Sequence, residues 1–119
     1  MNLLRIGFFH AQSKVGSMFS YTVRCTFTDA EVVGRWMNWL RDKHIQDVID
    51  AGAVGAEVFK MNNTETYEIR YQFASQADFE KYELEHAPGL REEGLAEFPL
   101  ELGLEYARTT GESLLKIGS

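Results

Sequence analysis

Apolar and polar positions alternate from Tyr21 to Phe27: Tyr21, Val23, Cys25 and Phe27 fall on one face, Thr22, Arg24 and Thr26 on the other. A period of two predicts a strand with one apolar face. Thr28 then reads as a helix N-cap with Glu31 three positions on, a capping box, and Phe27 and Val32 can close a hydrophobic staple across it. The pattern predicts a helix from Asp29 to Ala51, stopped by Gly52. Val54 to Met61 and Thr66 to Ala74 are rich in strand formers, and the turn-prone Asn62-Asn63-Thr64 between them makes the pair a β-hairpin. Ser75 caps a second helix, with Asp78 at its N3 position and Phe79 and Tyr82 on its inner face. Pro88 interrupts that helix, and Leu90 to Phe98 continues as a second helical segment. Leu100, Leu102, Leu104 and Tyr106 alternate with Glu101, Gly103 and Glu105 in a last strand.

The order is therefore β-α-β-β-α-β. This is an α+β, ferredoxin-like arrangement: a four-stranded antiparallel sheet with two helices on one face. One domain is expected over residues 18–110, with a C-terminal tail at 111–119. Residues 1–17 read as a leader outside the fold, either disordered or an early start, because the first clear strand begins near Met18. No apolar run approaches the roughly 18 residues of a membrane span, and Arg5 interrupts any secretory h-region.

One histidine stands out on the first helix. With Val32 set at zero and about 100° per residue, Trp36 falls at about 40°, Leu40 at about 80° and Val48 at about 160°. His44 falls at about 120°, inside this apolar stripe, and Asp47 at about 60°. Three residues separate them, within reach for a carboxylate to orient the imidazole as a general base. The competing expectation is that His44 is a hydrogen-bonded core residue and that Asp47 faces water. Trp36 and Trp39 are expected to pack on Tyr21, Tyr67 and Tyr71, with the alternative that they wall a pocket for a flat ligand. His10, His44 and His86 share no metal-ligand spacing, so no metal site and no cofactor are expected.

The opposite face of the sheet carries Thr22, Arg24, Thr26, Glu68, Arg70 and Gln72. In a monomer this is a solvated surface. In a two-fold dimer it would be enclosed, with Arg24 and Arg70 meeting Glu68, Glu105 or an anionic ligand. A homodimer is the expectation, on fold analogy.

Composition narrows the function classes. The chain is 45% hydrophobic and 25% charged, as in ordinary globular proteins, and its 119 residues suffice for one core without disulfides. Twelve basic against eighteen acidic residues give a net charge of −6, which argues against nucleic-acid binding. Residues 1–28 hold three basic charges and no acid, which leaves about −9 on the remainder. The single Cys25 rules out an internal disulfide and fits a reducing, cytoplasmic setting.

Three stretches carry a family resemblance: Trp36-x-x-Trp39-x-x-x-x-His44-Ile45, then Tyr67-x-Ile69-x-Tyr71, then Ala87-Pro88-x-Leu90-Arg91 with Phe98. Over about residues 18–112 the chain resembles DUF4286, an uncharacterised bacterial domain family. The resemblance implies a ferredoxin-like fold akin to the dimeric α/β-barrel proteins, in several of which the first helix places a histidine in a pocket. No known catalytic residue comes with the family. The expected function is a small dimeric α/β-barrel domain binding a small apolar or aromatic ligand, with Trp36, Tyr21, Tyr71 and Arg70 as binding residues. The alternative is a cofactor-free enzyme of the monooxygenase, cyclase or isomerase kind, with His44 as general acid/base and Asp47 as its partner. A further alternative is a protein-interaction module without catalysis.

Overall fold

The alternation at the start of the chain becomes strand β1, Phe19–Phe27, whose Tyr21, Val23, Cys25 and Phe27 are buried. The computed structural model describes residues 18–118, so the expected leader at 1–17 lies outside the described residues. A long helical stretch follows in three parts: α1 (Ala30–Trp39), a π-helical turn (Leu40–His44) and α2 (Ile45–Asp50). Strands β2 (Gly55–Lys60) and β3 (Thr66–Phe73) form the hairpin. Helices α3 (Gln76–Glu85) and α4 (Ala87–Glu97) then lead to β4 (Leu104–Glu112). The four strands are antiparallel in the order β2-β3-β1-β4, so the ferredoxin-like arrangement stands.

The core lies between the helices and one face of this sheet. Trp36, Leu40 and Val48 from the first helical stretch, with Phe79, Tyr82, Ala87 and Phe98 from the second, cover Tyr21, Cys25, Phe27, Ile69, Tyr71 and Phe73. Aromatic rings make up much of this layer. Trp36 meets Phe27 edge-on at 5.0 Å between centroids, and Phe73 meets Phe79 at 5.3 Å.

Ser75 caps α3 as expected, its hydroxyl accepting from Asp78 N at 3.0 Å. The first helix is capped differently. Asp29, not Thr28, is the N-cap, and its Oδ1 accepts from Glu31 N at 2.9 Å. Thr28 is occupied elsewhere: its backbone N–H donates to Gly103 O at 2.9 Å, tying the end of β1 to the turn before β4.

The last strand starts later than the alternation suggests. Leu100–Leu102 form one 3-10 turn, and Gly103 reverses the chain at φ +95, so pairing with β1 runs from Leu104 to Glu112. Gly103 also has no room for a side chain, because a Cβ there would sit 2.0 Å from Thr28 Oγ1. Gly103→Ala is expected to cost about 1–3 kcal/mol, from left-handed strain plus the displaced hydroxyl. Combining it with Thr28→Ala should recover at least about 0.5 kcal/mol relative to the sum of the single changes. Urea denaturation of the four proteins gives the coupling, and strict additivity would show that the clash relaxes freely.

The π-helical turn changes which residues face inward. Ile45 N reaches back five positions to Leu40 O, so one extra residue is wound into the turn. Everything downstream is turned back by about 100° relative to a regular helix. Val48 thereby moves to the centre of the apolar stripe, where it is fully buried. Asp47 moves out of the stripe, to the side where Lys43 Nζ binds its Oδ2.

Candidate functional site

Between the helical layer and the sheet lies a cavity of about 430 Å³. The strand alternation of β1 and β3 aims Tyr21, Val23, Ile69 and Tyr71 at it, while β4 contributes Leu104, Tyr106 and Arg108. The first helical stretch supplies Trp36, Trp39, Leu40 and His44, and α4 supplies Leu90, Arg91 and Gly94. The volume falls in the ordinary range for small-molecule sites, and the walls are mainly aromatic and aliphatic with a few polar atoms.

Four of the expected site residues meet here: Tyr21, Trp36, His44 and Tyr71. The other two do not. Asp47 is no partner to His44, since its carboxylate is held by Lys43 and the imidazole Nδ1 is buried with no hydrogen-bond partner. The physical reason is competition, because Lys43 lies one turn before Asp47 and takes its carboxylate as an i, i+4 ion pair. Arg70 lies on the opposite face of the sheet, where its guanidinium binds Glu68 Oε1 at 2.8 Å and covers the Phe59 ring at 3.9 Å.

His44 is instead held by stacking. Its ring lies 4.3 Å from that of Trp39, nearly parallel at 16°, and Trp39 in turn packs edge-on to Phe98. Burial pulls the His44 pKa down to about 4, against the pull of the Asp47 and Glu93 carboxylates and with a small push from Lys43. At neutral pH the ring is an uncharged imidazole with one nitrogen acting as donor and the other as acceptor.

Trp36 has two roles, being 1% exposed in the core and also lining the cavity. Its Nε1 donates to the Tyr106 hydroxyl at 3.3 Å. Burial pushes the Tyr106 phenol up to about 12, and it raises Tyr71 further still, so both stay protonated. The Tyr71 hydroxyl is buried without a partner.

Arg91 is the cavity-wall residue that pattern reading missed. Its Nη2 donates to the Tyr21 hydroxyl at 3.0 Å and to Glu83 Oε2, while its Nε is buried and unpartnered. Burial opposes its charge, and the hydrogen bonds to Glu83 and Tyr21 more than offset that, holding its pKa above the ordinary value. A signal was present in the sequence: a cation near the start of a helix sits against the dipole, so Arg91 needs a reason to be there. Among the described residues, the buried side-chain nitrogens and oxygens without a partner are His44 Nδ1, Tyr71 Oη and Arg91 Nε, and all three residues line the cavity.

Cys25, buried at the floor of the core, has its thiol pushed up to about 12 by burial, which leaves it an unreactive small hydrophobe. Among the described residues no three His, Cys, Asp or Glu side chains gather as a metal site. None of the described helices is long and apolar enough to cross a membrane.

On the outer face of the sheet, Glu68 sits between two arginines. Arg24 Nη2 reaches its Oε2 at 2.6 Å and Arg70 Nη2 its Oε1 at 2.8 Å, leaving Glu68 8% exposed. Hydrogen bonds from Arg24 and Arg70 hold its carboxyl below the usual range, despite burial.

The fold has solved counterparts. A dimeric ferredoxin-like protein from an uncultured marine organism superposes with a TM-score of 0.64 at 11% identity, covering 85% of this chain and 99% of its own. A second dimeric ferredoxin-like protein from an uncultured marine organism gives 0.62 at 13% identity, with 92% and 98% covered. A monooxygenase from Streptomyces coelicolor, in complex with Nanaomycin D, gives 0.60 at 12% identity, with 89% and 96% covered. At such identities the likeness establishes the fold alone. No curated protein matches the chain in sequence. The family profile of DUF4286, a domain of unknown function, matches residues 18–103, and the chain belongs to that family.

Proposed function

We propose that this protein is a homodimeric binding domain that holds a small aromatic ligand in the cavity between its helices and its sheet. The observation that carries the reading is the coincidence of an aromatic-walled cavity with unpaired buried polar atoms on three of its wall residues. Each such atom costs about 1–3 kcal/mol if it stays unpaired, a debt that a ligand or an ordered water cancels. The monooxygenase neighbour holds its ligand on the same fold, which makes the fold suitable for such a molecule.

The enzyme reading, with His44 moving a proton, has a narrower basis. An imidazole with a pKa of about 4 is a weak base at neutral pH, and no carboxylate hydrogen-bonds to its Nδ1. A neutral hydrogen-bonding role for His44 in ligand binding needs neither condition.

The homodimer rests on the two dimeric neighbours and on the outer sheet face. There the Arg24–Glu68–Arg70 cluster and Phe59 form a surface that a second copy can cover. Leu114, Leu115 and Ile117 beyond β4 are exposed and add apolar surface for a neighbour. The unpaired, buried Cys25 supports a cytoplasmic setting.

Native mass spectrometry of freshly purified protein tests both parts together. The expected spectrum shows the mass of two chains with additional small-molecule mass. An empty monomer would remove both parts of the proposal. Sedimentation of the Arg24→Glu, Arg70→Glu double variant is expected to give one chain, because three carboxylates would then crowd the interface around Glu68.

A further inference from the structure

Building on the binding function just proposed, we infer that the cavity selects an aromatic acid, whose anionic oxygen is held by Arg91 Nε and the Tyr71 hydroxyl. The two groups adjoin the same residue. Tyr21 stacks on Tyr71 with ring centroids 5.8 Å apart, and its hydroxyl accepts from Arg91 Nη2 at 3.0 Å. Glu83, through Nη2, fixes the guanidinium and leaves its Nε–H free. A guanidinium N–H can only donate, so it calls for an acceptor and not for a hydroxyl hydrogen or a methyl group. The protonated phenol of Tyr71, whose ring stacks on the Tyr21 ring and whose hydroxyl has no partner, supplies a second donor in the same cavity. Two donors, one of them charged, match an oxygen anion better than a neutral carbonyl.

The surrounding charges agree with this choice. Arg108 lines the same cavity and makes no ion pair among the described residues. It also borders a shallower groove, shared with Tyr21, Glu83 and Arg91, that opens from this end. Glu83 is spent on Arg91, and Glu105, which also borders the cavity, is exposed and paired opposite Thr26 in the outer-facing alternation of β4. A cation without an ion pair among the described residues, Arg108, therefore stands beside Arg91 in the wall of the cavity, in a chain of net charge −6. The rest of the wall suits the ring: Trp36, Leu90 and the stacked Trp39–His44 pair offer flat, uncharged surfaces.

A carboxylate and an ionised phenol share this chemistry, and matched probes separate them. Quenching of Trp36 and Trp39 fluorescence reports titrations with naphthoate, with naphthamide as its neutral counterpart, and with para-nitrophenolate. Naphthoate is expected to bind at least about tenfold more tightly than naphthamide, as a charge-assisted hydrogen bond implies. That preference should fall to near unity in Arg91→Met and shrink in Tyr71→Phe, which keeps the ring and loses only the hydroxyl. Preferred binding of para-nitrophenolate over naphthoate assigns the anion as a phenolate, and the reverse assigns a carboxylate. Equal binding of naphthoate and naphthamide overturns the acid preference and leaves the cavity function standing. Binding by none of the three probes overturns the cavity function and this inference with it. A naphthoate preference that survives unchanged in folded Tyr71→Phe and Arg91→Met places the anion elsewhere and also overturns the inference.

Discussion

Trp36→Ala is expected to destabilise the fold by about 3–5 kcal/mol, the usual cost of truncating a fully buried aromatic side chain. Trp36 is 1% exposed and touches rings from two strands: Phe27 at 5.0 Å and Tyr67 at 5.9 Å between centroids. Its removal also takes from the Tyr106 hydroxyl the indole N–H that it accepts. For a domain of about this length the loss corresponds to a fall in Tm of about 12–20 °C. Trp36→Phe separates the two contributions. It keeps a ring in the core and forfeits the hydrogen bond, so about 1–2 kcal/mol is expected. The existing cavity beside Trp36 gives the core no compensating collapse, because the helix that carries it is anchored on either side by Val32 and Leu40. Thermal melts of the two variants check this, and a loss under about 1 kcal/mol for Trp36→Ala would show that the cavity wall rearranges.

The second large effect is a loss of stability in acid that His44 controls. In the folded protein its pKa is pulled down to about 4, whereas an unfolded histidine titrates near its ordinary value of 6.5. Between these values the unfolded chain binds a proton that the native state refuses, so stability falls as pH drops through this window and levels off below about 4. The full shift corresponds to about 3 kcal/mol, and partial solvent access reduces that to about 1–3 kcal/mol. Glu68 adds a loss of the same sign lower down: its depressed pKa means stability present above the ordinary carboxylate range and lost as the carboxyl protonates. The comparison that isolates histidine is therefore wild type against His44→Leu, by urea denaturation at about pH 7 and about pH 4.5. The variant should show a visibly flatter dependence. Parallel curves for the two proteins would mean that the imidazole is solvated in the native state.

The architecture was legible because its cues are local and redundant. The alternation in β1 and β3, the Ser75 cap and the Asn-rich hairpin turn each act over a few residues, and all agree on one topology. Errors came where a distant partner decides. Thr28 resembles a cap in isolation but pairs with Gly103, some seventy residues away, so Asp29 takes the role. Leu100 and Leu102 continue a period of two, yet the positive φ of Gly103 breaks the strand before Leu104. At the site, the four aromatic and histidine positions followed from their faces on strands and helix. Asp47 did not, and the hint lay in Ile45 and Ile49, which a regular helix puts on its polar side at about 220° and 260°. Both are in fact packed against the core. Arg91 was invisible to periodicity, since its importance comes from a Tyr21 hydroxyl on another element.

The wound-in residue between Trp39 and Ile45 is spliced in without disturbing the faces of the helix on either side of it. A helix one residue shorter would run regularly from Trp36 to Val48 and bury the same two side chains. Deleting Arg41, an exposed position in the turn, should therefore leave a folded domain. The same deletion would place His44 four residues after Trp39 in place of five, still a neighbour on the same helix face. The extra residue is thus absorbed within a single turn, and residue identity at position 44, more than chain length at this point, sets whether the cavity has a histidine in its wall.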